Sequence, residues 1–333
     1  EYATEISQNR SLYEGYRRIA ESEAFQSFDA TRQKVINDAL RDFRLGGVEL
    51  EGEDRTRYQQ LQKDLSELQS SFENNLLDST QAWEYLTEDE NELDGLPDYA
   101  RAMLRQLAEQ KDLPGYRITL DMPCYLAVIT HASNRQLRRD IYEAYVTRAS
   151  NGGPTDKKWD NASNMVDIVT KRQEKAGILG FQNYAEYSLE TKMAQSVEQV
   201  IEFLLDLATR SRDTALAEVA ERQAFAESQG FEGDLQAWDA PYYSEKLKQR
   251  RYQISDEDLK PYFSDRQVIE GLFQLVTRLY GVSIESVSEE VERWDESVGF
   301  YQISDHEGQV IGQFFLDLYA REHKRGGAWM DEC

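Results

Sequence analysis

The stretch "DRTRYQQLQKDLSELQSSFENNLLDSTQAWEYL", residues 54–86, decides the fold class. Its apolar side chains fall at Tyr58, Leu61, Leu65, Leu68, Phe72, Leu76, Trp83 and Leu86, in steps dominated by three and four. That spacing predicts one long amphipathic helix, with the apolar residues on one face and Gln, Lys, Asp and Glu on the other. The stripe mixes aromatics with Leu and holds few clean heptads, so a helix packed in an all-α body is expected rather than a coiled coil.

Working outward, the same period recurs. Helices are expected at 97–110, 134–150, 157–175, from the Ser-x-x-Gln capping box "SVEQ" (196–199) to about 228, at 239–249, and at 265–280, where Gly281 stops the last one. "SNGGPTD" (150–156) reads as a loop between helices. Period two appears in two places. Tyr116, Ile118 and Leu120 alternate as a short strand. Val298, Phe300 and Gln302, the turn "DHEG" (305–308) and the run from Val310 to Tyr319 read as a β-hairpin. The expected fold is mainly α, an elongated multi-helix lobe over 1–295 followed by a hairpin and connector over 296–333. Six prolines in 333 residues suit such long helices.

Composition narrows the function. With 38 basic and 62 acidic residues the formal charge is −24, which repels phosphate backbones and anionic lipid, so no nucleic-acid or membrane partner is expected. Hydrophobic residues at 40% suffice for a core. Cys124 and Cys333 are the only cysteines and make no disulfide framework, which suits a reducing cytoplasm. Residue 1 is Glu rather than Met, so the chain is expected to be processed, cut or part of something longer.

His306 and Glu307 in "HEGQV" imitate the start of a zinc-binding His-Glu-x-x-His, but position 310 is Val and Gly308 marks a turn. His131 reads as a hydrogen-bonded, partly buried side chain and His323 as a surface one. The aromatic cluster "WDAPYY" (238–243) reads as packing. No nucleophile elbow, phosphate loop or dinucleotide fingerprint is present.

A resemblance carries further. "GQFFLDLYAREHKRGGAWMDEC" (312–333), "ITHASNRQLRRDIYEAYVTRAS" (129–150), "GFQNYAEYSLETKMA" (180–194), "WDAPYYSEKLK" (238–248) and "YFSDRQVIEGLFQLVTRLYG" (262–281) resemble, in the same order, segments of the thimet oligopeptidase family of zinc metallopeptidases. The resemblance covers essentially the whole chain. It implies a mostly helical enzyme of two lobes facing a deep channel, which hydrolyses short peptides. Zinc is held there by His-Glu-x-x-His and a downstream Glu, and the motif's own Glu is the general base. That motif is absent here, so no zinc ligand or catalytic residue carries over. The chain is expected to be an internal piece of such an enzyme, inactive alone and binding no zinc itself, with surface exposed for self-association. A strand beside the metal helix is expected to pair with extended peptide, with Phe315, Asp317 and Tyr319 on its substrate side and Phe314, Leu316 and Leu318 on its core side. The alternative is a non-catalytic helical binding or scaffold module.

Overall fold

The structure is a computed structural model and describes residues 2–287, 291–328 and 330. Along the chain run the helices α1 (Tyr2–Ser7), α2 (Arg10–Ala20), α3 (Ala30–Leu45), α4 (Gly52–Gln81), α5 (Asp98–Glu109), α6 (Met122–His131), α7 (Arg135–Val146), α8 (Ala162–Ile178), α9 (Tyr184–Leu189), α10 (Val197–Ser228), α11 (Ala240–Tyr252), α12 (Asp256–Leu259) and α13 (Asp265–Tyr280). The strands are β1 (Glu84–Thr87), β2 (Tyr116–Thr119), β3 (Ser283–Ser286), β4 (Gly299–Ser304) and β5 (Val310–Leu316). The mainly-α expectation with a C-terminal hairpin is borne out. Among the described residues no helix is long and apolar enough to cross a membrane.

The chain forms two compact units, Glu1–Trp83 with Val146–Ala220, and Glu84–Tyr145 with Glu221–Cys333. In the first, Tyr58, Leu61 and Leu65 of α4 are buried against α8. Arg57–Glu174 (2.5 Å) and Lys171–Asp64 (2.6 Å) bridge the same two helices. The loop before α8 is tied to α4 as well. The buried Asn161 donates to the Phe72 carbonyl (3.0 Å), and Ser79 Oγ accepts from the Ala149 amide (2.9 Å). These bonds satisfy backbone groups that burial would otherwise strand.

In the second unit Leu104 of α5, Ile118 of β2, Val128 and Ile129 of α6, and Leu137 and Ile141 of α7 are all at most 2% exposed. Gly95, at φ +88, lies so close to the end of α6 that a Cβ would sit 2.4 Å from the His131 carbonyl.

Three expectations needed correction. The helix of residues 54–86 begins at Gly52 and ends at Gln81; Trp83 and Leu86 lie beyond it because residues 84–87 pair antiparallel with β2. The helix expected at 157–175 opens instead at Ala162, since Asp160 accepts from the Ala162 amide (3.0 Å) after a single 3₁₀ turn, and it runs on to Ile178. Helix α6 forms where the sequence carries no helical period. Other terminators act as expected. Gly281 adopts φ +69 at the end of α13, and in the capping box Ser196 Oγ accepts from the Gln199 amide (3.1 Å) while Gln199 Oε1 accepts from the Gln195 amide (2.7 Å).

Candidate functional site

The C-terminal sheet has the order β3-β4-β5, all antiparallel. Asp305 shapes the hairpin turn, its carboxylate accepting from the Glu307 and Gln309 amides at 2.9 Å each. Phe300 stands opposite Phe315, and Gln302 opposite Gln313. The Phe300 carbonyl accepts from the Val287 amide (3.0 Å), on the β3 side. In an antiparallel ladder a residue's N–H and C=O point the same way. Phe300 and Phe315 are therefore a non-hydrogen-bonded pair, and Phe315 turns its own backbone groups away from β4, as does Gln313 two residues earlier. β5 is thus an edge strand with the peptide groups of Gln313 and Phe315 facing outward, and among the described residues nothing pairs with them.

The three candidate residues have separate surroundings. Phe315 packs its ring against Phe300 (4.6 Å) and Trp294 (5.0 Å). Asp317 lies past the end of β5 and accepts from Trp294 Nε1 (3.0 Å), both terminal nitrogens of Arg321 (2.7 and 2.9 Å) and Lys324 Nζ (2.9 Å). The Arg321 bonds, aided by Trp294 and Lys324, hold its carboxyl well below the usual range despite partial burial. Tyr319 donates to Asp265 at the start of α13. Trp294 therefore joins Phe315 to Asp317, whereas Tyr319 is turned to a different partner. The expected core face is also corrected. Phe314 stacks on Tyr301 (5.3 Å) and meets Phe273 of α13, but Leu318 lies beyond the strand and is 49% exposed.

The profile of peptidase family M3 matches residues 128–333, and that of the Neurolysin/Thimet oligopeptidase N-terminal domain matches residues 1–55. The chain belongs to peptidase family M3. Oligopeptidase A of Escherichia coli K12 is 45% identical over this whole chain, which covers 49% of that relative. Oligopeptidase A of Haemophilus influenzae is 46% identical, again over the whole chain and 49% of its own length. The organellar oligopeptidase A of Arabidopsis thaliana is 37% identical over 98% of this chain and 42% of its own. The chain spans about half the length of the curated relatives it matches.

The zinc implied by the family resemblance finds no fitting donor set among the described residues. His131 ends α6, His306 lies in the hairpin turn with Nε2 3.8 Å from Glu307 in the open, and His323 is in the connector. Among the described residues no three His, Cys, Asp or Glu side chains group to hold a metal. Cys124 is buried, and burial pushes its thiol up to about 11; Cys333 lies outside the described residues.

A buried ionic cluster carries no sequence signature. Asp239, in the "WDAPYY" segment, is fully buried and accepts from Arg135 (2.8 Å) and Arg138 (2.9 Å). Arg138 is itself 2% exposed, lies 4.1 Å over the Tyr242 ring, and donates to the Ala132 carbonyl (2.7 Å). Burial alone would raise the Asp239 carboxyl; the bonds from Arg135, the Gln236 amide and Arg138 outweigh it and hold it low. With every member bonded, the cluster clamps α7 to the start of α11.

Proposed function

We propose that this chain supplies the helical lobe (1–295) and the hairpin and connector (296–333) of a cytoplasmic zinc metallo-endopeptidase that hydrolyses short peptides in a deep channel. In this reading the zinc ligands and general base lie outside the 333 residues, so the chain alone hydrolyses nothing. The observation that carries the reading is the open edge of β5 in a member of family M3. An extended peptide laid beside β5 takes up the outward N–H and C=O of Gln313 and Phe315 as an added strand. Such pairing reads the substrate backbone rather than its side chains, which suits an enzyme for varied peptides. Phe315 and Asp317 then act on substrate through the strand they stabilise: Phe315 anchors the edge on Phe300, and Asp317 pins its end through Trp294, Arg321 and Lys324. Tyr319 fixes the connector to α13.

The test uses Gln313→Pro. Its N–H faces outward, so proline removes the donor offered to peptide without removing a bond to β4. The hairpin should persist by NMR while binding of an extended peptide is lost, and Gln313→Thr should bind normally. Retained binding in Gln313→Pro would refute edge pairing. Chelator-sensitive cleavage of a quenched fluorescent peptide by the purified chain with added zinc would refute the placement of the catalytic groups elsewhere.

A further inference from the structure

The first unit holds a cavity lined by its own residues alone. Of about 340 Å³, it opens where the C-terminal ends of α3 and α8 come together, lined among others by Arg44, Leu45, Leu50, Leu179, Phe181 and Glu190. Its size is at the lower end of small-molecule sites, about 300–1,000 Å³. Its charges divide into two kinds. Arg41 is committed to Asp38 (3.0 Å) and Asp42 (2.8 Å), and Glu49 accepts from the Tyr13 hydroxyl. Arg44 and Glu190, both on the cavity wall, make no ion pair or side-chain hydrogen bond among the described residues, with each other or with anything else. The wall of the cavity therefore offers one cation and one anion that hold no close partner among the described residues, Glu190 feeling the charge of Arg41 and Arg44 lying near the Tyr13 hydroxyl, together with leucines and a phenylalanine.

We propose that this cavity binds a free α-amino acid or dipeptide carrying an apolar side chain, recognised by both of its charged ends. The planar guanidinium of Arg44 takes the carboxylate with two parallel bonds. Glu190 takes the ammonium. The leucines and Phe181 receive the side chain. The formal charge of the lining favours a zwitterion over a phosphate, because Arg41 and Arg44 are balanced by Glu49 and Glu190. The site reads free termini, whereas β5 reads a peptide's backbone, so the inference does not rest on the function proposed above.

Calorimetric titration of the 333-residue chain tests the site with leucyl-leucine, its N-acetyl form and its C-terminal amide. Leucyl-leucine should bind saturably at one site, and blocking either end should weaken it by about tenfold or more, the range for loss of a charged hydrogen bond. Arg44→Gln should weaken leucyl-leucine by a similar factor yet leave the amide unaffected; Glu190→Gln should do the same for the N-acetyl form. Both side chains are exposed, so unchanged circular dichroism is expected, and the blocked compounds test the site on the unaltered chain regardless. Absence of saturable binding, equal affinity for blocked and free dipeptides, or loss of binding in Gln313→Pro but not in Arg44→Gln would each overturn the proposal.

Discussion

Lys175 sets up an alkaline stabilisation that a single substitution should abolish. It sits in α8 at 8% exposure, its Nζ 4.8 Å from the Tyr187 ring centre and 5.5 Å from that of Tyr58. The neighbouring acids are engaged elsewhere, Glu174 with Arg57 and Asp64 with Lys171. Burial, helped by Arg172, brings the Lys175 ammonium down from 10.5 to about 8. Below pH 8 the amine is charged in both the folded and unfolded chain, and the folded state carries the full desolvation cost. Between about 8 and 10.5 the unfolded chain keeps a proton that the folded chain has released, so stability rises with pH. At about 1.4 kcal/mol per pH unit, the gain relative to neutral pH is about 1.4 kcal/mol at pH 9 and about 2.5 kcal/mol at pH 10. Lys175→Met retains the length of the side chain and removes the titration. Urea unfolding of both proteins at pH 7, 8, 9 and 10, at fixed ionic strength, should give a wild-type-minus-variant difference that climbs by those amounts. Stopping at pH 10 avoids Tyr58, which burial raises further still. Parallel curves across the range would show that the amine is solvated in the folded chain and would refute the argument.

Two further outcomes follow from buried geometry. Asp239→Asn should destabilise the second unit by about 3–5 kcal/mol, because Arg138 is left charged and unpaired in the interior; Arg138→Met together with Asp239→Leu should lose much less, as denaturant midpoints will report. Gly95→Ala should cost several kcal/mol, about 1–2 of it from the left-handed backbone alone and the rest from the collision with the His131 carbonyl; a loss under 1 kcal/mol in thermal unfolding would show that the segment relaxes freely.

Residues with local, self-sufficient signals were legible in the sequence. Ser196 and Gln199, Gly281, and the turn built on Asp305 act within a few residues of themselves, so their chemistry needs no distant partner. What required the fold was harder to read. Helix α6, "MPCYLAVITH", buries Cys124, Ala127, Val128 and Ile129 and so presents no polar face for periodicity to reveal. Trp83 and Leu86 continue the helical spacing of α4, yet pairing with β2 claims that segment, a contact some thirty residues away. The candidate site divides in the same way. Alternation along β5 indicates which side chains share a face, and Phe315 does lie opposite Phe314. It cannot indicate which peptide groups face outward, because that is decided by β3, whose "SIES" has no pattern of its own. Asp239 stayed hidden because an acidic residue in a chain with 62 of them has no distinguishing mark until Arg135 and Arg138 converge on it.

The edge of β5 has a consequence for handling the protein as well as for substrate. "VIGQFFL" holds seven residues with no charge and no proline, the composition that lets identical segments stack into cross-β fibrils. Soluble proteins usually guard such an edge with a lysine, a proline or an inward charge. Here the adjacent acid, Asp317, is already neutralised by Arg321 and Lys324 and offers little repulsion to an incoming strand. The same groups that would welcome a peptide therefore also welcome another copy of the hairpin. A short extended peptide in the buffer should act as a gatekeeper in solution, slowing fibril growth in proportion to its occupancy of the strand.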